Sequence, residues 1–176
     1  PGAPSAMGLD ATIVIATFGS SEWIDLAQQR AIPSTAGEAP YVHAHGDTLA
    51  EARNTGLDAV ETEWVIHLDA DDELEPGYVE SLGRGTADLR APAVRYVQEG
   101  RAARPRLPKV AGHRHACEAA CLDQGNWLVI GTAARTQLLR DVGGWEDWPI
   151  YEDYALWLRC WKAGATVESI PTAVYR

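Results

Sequence analysis

Five carboxylates crowd the seven positions from Asp69 to Glu75, within the segment "WVIHLDADDELEPG" (Trp64–Gly77) and directly after its apolar run. Like charges this close repel one another, so a neutralising partner is expected. Asp69 and Asp71 could both face one site if the chain turns immediately after Leu68. Carboxylate oxygens suit Mg²⁺ or Mn²⁺, whose remaining ligands are usually phosphates and water. The cluster therefore indicates a divalent-metal site beside a phosphate-bearing ligand.

The same residues have a second interpretation, as a solvated acidic turn. A helix is expected to begin near Glu73, and carboxylates are favourable at a helix N-terminus because the helix dipole is positive there. Against this, ligands of open α/β sheets bind at the carboxyl ends of the strands, which is where the cluster lies. Composition alone leaves both interpretations open.

The first part of the chain alternates between strand and helix patterns. Ala11–Phe18 is a near-continuous β-branched run, typical of a strand covered on both faces. A serine after Gly19 could cap a helix that runs to about Gln29. We expect a loop at Pro33–Pro40 and a short strand at Tyr41–His45.

Thr48 and Glu51 fit the capping-box pattern, in which a hydroxyl and a carboxylate each accept a hydrogen bond from the other residue's backbone N–H. The helix that they open should run to about Val60. Its small and apolar positions on one side are Leu49, Ala52, Gly56 and Val60. "TEWVIHLD" then predicts another buried strand, and Pro76–Leu82 a short helix.

The second half is less regular. Ala91–Gly100 and Asn126–Ala133 are predicted strands, and a short helix is expected around Arg135–Asp141. The last predicted helix, "EDYALWLRCWKAG", carries an apolar stripe and a glycine stop: Tyr154, Trp157, Leu158, Trp161 and Gly164. The alternation of strands and helices predicts an α/β domain.

Length and composition limit the class of protein. A chain of 176 residues suggests one domain, which we place at residues 9–176, with residues 1–8 a tag remnant or a disordered start. The net charge of −10 and pI of about 4.9 argue against binding a nucleic-acid backbone. Three cysteines without a CxxC pair fit a reducing compartment. With neither a secretory signal nor a transmembrane run in the sequence, we expect a cytoplasmic protein.

Three segments resemble the family 2 glycosyltransferases of GT-A fold, and their order and spacing match along most of the chain. They are "ATIVIATF", "LAEARNTGLDAVETEWVIHLDADDELEPGYV" and "LLRDVGGWEDWPIYEDYALWLRCWKAGA". The resemblance implies a compact version of the Rossmann-like nucleotide-diphospho-sugar transferase fold, an open mixed sheet flanked by helices. It also implies transfer of a sugar from a nucleotide-sugar to a hydroxyl acceptor, with inversion at the anomeric carbon.

The resemblance assigns the donor side of this reaction. Asp69-Ala70-Asp71 is the DxD motif, with Asp71 the direct ligand of Mn²⁺ or Mg²⁺ and Asp69 bonding the donor ribose or a metal-bound water. Such an ion stabilises charge on a departing nucleoside diphosphate. Ala16, Thr17 and Phe18 would lie along the nucleoside, and Arg53 near the diphosphate. The alternative for Arg53 is an exposed helix charge paired with a nearby acid.

The acceptor side is assigned to the second acidic pair. An inverting transfer needs a base for the acceptor hydroxyl, which the resemblance implies is Asp153, while Glu152 shapes the acceptor pocket. The dipole of the last helix would keep Asp153 ionised. Helix capping is the alternative for this pair. Trp145 and Trp148 offer flat faces on which a sugar ring could pack, although core packing explains a buried Trp equally well.

The remaining histidines and cysteines are expected to be structural. His113 and His115 are two residues apart and show no clear third ligand, so a metal site there is disfavoured against ordinary loop residues. His67 lies within a predicted strand and should be a hydrogen-bonded core residue. The three cysteines, Cys117, Cys121 and Cys160, are most simply core residues.

Two departures from the family pattern leave questions open. Family members usually have, after a second strand, an acidic residue and a Ser that recognise the nucleobase. Here only "YVHAHGD" lies between the first helix and the "LAEARN" helix, so Asp47 could take that role. Whether the donor carries UDP or GDP is therefore open. Relatives often continue beyond the position of "PTAVYR" into a segment that closes over the donor. We therefore expect a minimal enzyme, a truncated one, or a domain that works with another chain.

Two other functional classes remain as rivals. One is a sugar-nucleotide-binding or scaffold domain without turnover. The other is a nucleotidyltransferase, which would normally show a basic, glycine-rich loop after the first strand. "TFGSSEW" contains no Lys or Arg, which argues against the second rival.

Overall fold

The computed structural model describes residues 8–98, 100–114 and 117–176. Its strands are β1 (Ala11–Phe18), β2 (Tyr41–Gly46), β3 (Trp64–Asp69), β4 (Leu89–Val94), β5 (Val97–Gln98), β6 (Arg101–Ala102), β7 (Ala133–Arg135) and β8 (Val167–Tyr175). Its helices are α1 (Ser21–Gln29), α2 (Ala31–Ser34), α3 (Leu49–Asp58), α4 (Tyr78–Leu82), α5 (Thr136–Asp141) and α6 (Glu152–Lys162), with a 3₁₀ helix at Ala119–Asp123. None of these helices is both long and apolar enough to span a bilayer.

Six strands form one mixed sheet in the order β2-β1-β3-β7-β4-β8, and β5 and β6 form a separate two-stranded ribbon. Within the six-stranded sheet, β7 alone runs against its neighbours. The carboxyl ends of β1, β2 and β3 therefore meet at one edge. Ala16 pairs there with Ala44 on one side and with Asp69 on the other.

Hydrophobic residues cover both faces of this sheet. Val14 and Val65 pack on one face with Trp157 of α6, while Ile13 and Ile66 pack on the other face with Tyr78 of α4. Both faces of β1 and β3 are thus buried, which is why these strands are continuously apolar. The α/β class and the open mixed sheet flanked by helices are confirmed.

Several predicted elements are confirmed with small changes at their ends. The hydroxyl of Thr48 accepts the backbone N–H of Glu51 at 3.1 Å, as a capping box requires. The carboxylate of Glu51 accepts the N–H of Asp47, one residue before the expected donor. At the end of α6, Gly164 has φ +96°, the left-handed conformation of a helix stop.

Predicted strands in the second half are displaced. Asn126–Ala133 is not a strand, because Trp127 and Leu128 are apolar for a different reason: they insert into the core beside α6. Only Ala133–Arg135 joins the sheet. Strand β4 begins two residues before the predicted Ala91–Gly100 and ends at Val94. Strand β8 was not predicted, since Pro171 interrupts it and its pairing with β4 shifts register there.

Candidate active site

The ends of β1 and β3 form the wall of a cavity of about 170 Å³. All seven residues predicted to bind the donor line it: Ala16, Thr17, Phe18, Arg53, Asp69, Ala70 and Asp71. Glu152, from the start of α6, lines the same cavity. The structure therefore brings the predicted donor residues together and adds one residue of the second acidic pair.

Two histidines of β2 hold Thr17 in this wall. Nε2 of His43 and Nδ1 of His45 lie 2.9 and 3.0 Å from the Thr17 hydroxyl. Burial and the neighbouring His45 lower the pKa of His43, which favours the neutral ring as the hydroxyl's partner. Sequence analysis gave neither histidine a role. Their spacing of two residues in a predicted strand, which puts them on one face, was the available signal.

Arg53 joins the two acidic motifs. Its Nη2 donates to Oδ1 of Asp69 and its Nη1 donates to Oε1 of Glu152, both at 2.9 Å. The Arg53 side chain is 2% exposed. Burial alone lowers the pKa of Arg53, but the charges and hydrogen bonds of Asp69 and Glu152 outweigh it and raise the pKa. Arg53 is therefore a buried positioning residue, and the alternative of an exposed helix charge is wrong.

Trp145 packs against the guanidinium of Arg53, and His67 accepts a hydrogen bond from Trp145. The guanidinium carbon of Arg53 lies 4.3 Å from the centre of the Trp145 ring. The indole N–H of Trp145 donates to Nε2 of His67 at 3.1 Å. Complete burial and the charge of Arg53 lower the pKa of His67 to about 3, so the ring is neutral and can accept this bond. The prediction that His67 is a hydrogen-bonded core residue is confirmed.

The prediction that Trp145 binds an acceptor sugar is wrong. Its side chain is 3% exposed and packs edge-to-face on Trp157 in the core, so it has no open face for a ligand. Its backbone is held by Asn54, which donates to the Trp145 carbonyl and accepts the Trp145 N–H, both at 2.8 Å. A Cβ at the preceding Gly144 would lie 2.5 Å from Oδ1 of Asn54. This contact joins the "ARN" and "GGW" segments, and sequence analysis missed Asn54.

A second cavity, of about 430 Å³, lies on the other side of Asp69 and Asp71, which border both cavities. Asp153 lines this second cavity. Its Oδ2 accepts a hydrogen bond from Nδ2 of Asn126 and its Oδ1 accepts the backbone N–H of Tyr154. Burial raises the pKa of Asp153 despite these two bonds. Glu152 and Asp153 are consecutive, yet they line different cavities.

Asp72 and Tyr175 complete the wall of the second cavity. The Tyr175 hydroxyl accepts the backbone N–H of Asp69 at 3.3 Å. Burial, together with the charges of Asp69 and Asp71, raises the pKa of Asp72 to about 7, although Tyr175 and Arg30 act in the opposite direction. Sequence analysis gave Asp72 no separate role and missed Tyr175, which lies in the unpredicted β8.

Comparison with known proteins finds relatives of this chain. Residues 34–111 match the glycosyl transferase family 2 pattern. The pre-mycofactocin glycosyltransferases of two Mycobacterium tuberculosis strains are 33% identical over 145 residues, covering 75% of this chain and 30% of each relative. These matches support the predicted relationship to the family 2 glycosyltransferases.

Solved structures show the same fold at low sequence identity. The crystal structure of S. aureus TarS 1–349 has a TM-score of 0.61 at 14% identity, and covers 95% of this chain and 59% of that one. The crystal structure of TarS 1–349 in complex with UDP-GlcNAc has a TM-score of 0.58 at 13% identity, and covers 95% of this chain and 57% of that one. The predicted GT-A fold is confirmed. The chain spans less than a third of the curated relatives' length and under two thirds of TarS.

Trp148 remains accessible to solvent. It is 55% exposed, and its indole N–H donates to Oε2 of Glu146 at 2.7 Å. It lines a third cavity together with Phe18 and Glu152. Trp148 therefore lies on the Glu152 side of the site and does not line the cavity of Asp153.

The donor set at Asp69 and Asp71 fits a hard divalent cation. Arg53 occupies Oδ1 of Asp69, while the Asp69 side chain stays 33% exposed and Asp71 is exposed at the junction of the two cavities. Among the described residues, the side-chain carboxylate of Asp71 makes no hydrogen bond or ion pair with another side chain. These are the oxygen ligands that Mg²⁺ and Mn²⁺ prefer.

Proposed function

We propose that this domain transfers a sugar from a nucleoside-diphosphate sugar to a hydroxyl acceptor, with inversion at the anomeric carbon. The nucleotide would occupy the cavity at the end of β1, and the acceptor would enter the cavity of Asp153. The observation that carries this proposal is that the two cavities meet at Asp69 and Asp71. A sugar attached to a diphosphate at that junction would lie between its leaving group and a base.

Asp153 is the residue best placed to act as the base. It would accept the proton of the acceptor hydroxyl as that oxygen bonds to the anomeric carbon, while the bond from this carbon to the diphosphate oxygen breaks on the opposite face. Its raised pKa makes the carboxylate a better proton acceptor. Glu152 is held by Arg53 beside the donor cavity and would shape the donor side of the sugar pocket.

A divalent ion, Mn²⁺ or Mg²⁺, would be held by Asp71 and by the free oxygen of Asp69. When bound, it would supply a Lewis acid that neutralises the negative charge of the departing diphosphate. Arg53 carries one positive charge against two carboxylate partners, so it has none to spare for Asp71 and Asp72, and these two carboxylates are available to a cation.

The acceptor cavity offers a different aromatic residue from those predicted. Tyr96 is 72% exposed and lines the same cavity as Asp153, so we propose it as the surface on which the acceptor packs. Trp148 would instead border the donor side. TarS in complex with UDP-GlcNAc is consistent with a nucleotide-sugar donor, and donors linked to UDP and to GDP are both candidates here.

The test combines binding and turnover. Calorimetric titration of UDP and GDP with Mn²⁺ should show binding that Asp71→Asn weakens by about tenfold or more, whereas Asp58→Asn at the exposed end of α3 should bind like the wild type. Asp153→Asn should keep nucleotide binding and lose transfer across a panel of nucleotide-sugars. NMR of the product should show the inverted anomer. Nucleotide binding without turnover in the wild type would instead identify the binding domain without activity.

A further inference from the structure

A cluster of soft metal ligands lies outside the site described above. Nδ1 of His113, Sγ of Cys117 and Sγ of Cys121 all lie within 4.8 Å of one another. We propose that these three side chains bind a zinc ion. This proposal is independent of the proposed transferase activity. The cluster contradicts the expectation that His113 has no further ligand nearby, while the three cysteines lie in or against the core as expected. The second histidine of that expectation, His115, lies outside the described residues.

The distances fit tetrahedral coordination. Ligands at about 2.3 Å (Cys sulfur) and about 2.1 Å (His nitrogen) from a tetrahedral zinc ion lie about 3.6 Å apart. The separation of Cys117 Sγ from His113 Nδ1 is 3.7 Å. Only a small movement of Cys121 is needed to complete three ligand positions, and solvent would supply the fourth. The ligands are sulfur and nitrogen, which favour zinc over the Mn²⁺ or Mg²⁺ expected at Asp71.

The groups around the cluster prepare each ligand for a metal. Nε2 of His113 lies 3.0 Å from Oε1 of Gln124, an acceptor, so Nε2 carries the proton and Nδ1 presents its lone pair to the sulfurs. Cys117 Sγ accepts the backbone N–H of Val110, and Cys121 Sγ accepts that of Glu118. Such bonds stabilise thiolates, which are the form that binds zinc.

The position of the cluster gives the zinc ion a structural role. In the described residues between Ala103 and Thr132, the only regular elements are the five-residue 3₁₀ helix and one bridge of Arg106 to Val94. A long connection with so little secondary structure benefits from a cross-link. This segment also carries Asn126, which binds Asp153, so the zinc ion would help to hold the proposed base.

The first experiment measures metal content. Protein purified with reductant and without chelator should contain about one zinc ion per chain, measured by inductively coupled plasma mass spectrometry. Cys117→Ser, Cys121→Ser and His113→Ala should each lose it. Cys160→Ala, which removes the third cysteine, and Asp71→Asn, which alters the proposed manganese site, should both retain it.

A second measurement needs no variant. Cobalt added to the zinc-free wild type should produce visible bands of tetrahedral Co²⁺ and thiolate-to-cobalt charge transfer in the near ultraviolet, and zinc should abolish both. Chelator should lower the melting temperature of the wild type but not that of Cys117→Ser. Cobalt spectra without thiolate bands would overturn the proposal, and so would reduced protein that was supplied with zinc and holds none after dialysis.

Discussion

The side-chain amide of Asn126 donates a hydrogen bond of 2.8 Å to Oδ2 of Asp153. This bond stabilises the ionised carboxylate and opposes the effect of burial, which raises the pKa of Asp153. Asn126 comes from the loop after the 3₁₀ helix, and Asp153 from the first turn of α6. A segment outside α6 therefore moderates the effect of burial on the ionisation of the proposed base.

Asn126→Ala should raise the pKa of Asp153 further, because the carboxylate loses a donor. If Asp153 is the base, kcat/KM falls as the pH drops through its pKa, so this acidic limb should move to higher pH in the variant. The measurement is kcat/KM for transfer between pH 4 and 8 (roughly the range that brackets a raised carboxyl pKa). Gln137→Ala is the matched control, since Gln137 makes a similar amide–carboxylate bond to Asp141 on the exposed surface of α5. An unshifted limb in Asn126→Ala would remove Asp153 as the titrating group.

Arg53→Met should destabilise the fold and disorder both acidic motifs. The change leaves Asp69 and Glu152 without their shared partner, and removing one member of a buried ion pair costs about 3 kcal/mol or more. Urea unfolding measures this loss. Arg84→Met provides the contrast, because Arg84 pairs with Glu80 on the exposed surface of α4 and the free energy of unfolding should hardly change. Equal effects of the two variants would contradict a central role for Arg53.

Acid should destabilise the protein through His67. The folded state keeps this ring neutral down to about pH 3, whereas the ordinary pKa of 6.5 applies in the unfolded chain. The unfolded chain therefore binds one more proton between these values, and the free energy of unfolding should fall by about 1.4 kcal/mol per pH unit as the pH decreases. His67→Gln does not titrate but can still accept the Trp145 indole bond. Its stability should fall less steeply between about pH 6 and pH 5; parallel curves would show that His67 does not cause the loss.

Trp145 and Trp148 should behave differently on substitution. Trp145→Phe removes the donor to His67 and the wide ring beneath Arg53, so we expect a loss of about 1–3 kcal/mol in the free energy of unfolding. Trp148→Phe should leave stability nearly unchanged, since this side chain is mostly exposed. Thermal and denaturant unfolding provide the comparison. A Trp145→Phe protein of normal stability with weakened acceptor binding would restore the original prediction for Trp145.

The sequence by itself determined the sheet edge and most of its donor-side residues. Strands β1 and β3 are buried on both faces, so each appears as a continuous apolar run, and the polar residues that follow each run must lie at the carboxyl end of a strand. Because β1 and β3 are parallel neighbours, their carboxyl ends lie side by side. The local pattern therefore placed Asp69–Asp71 at a strand end, whereas the resemblance to a known family assigned Ala16–Phe18 to the same site.

Only the tertiary structure decided which side chains meet across the fold. Arg53 and Glu152 are 99 positions apart, and nothing local to either residue shows that they pair. The identity of an apolar residue also does not show which groups it packs against. Trp127 and Leu128 pack in the core without forming a strand, and Trp145 packs against Arg53 with no face open to a sugar. Long-range packing chooses these contacts, because their energy depends on groups that meet only when the chain is folded.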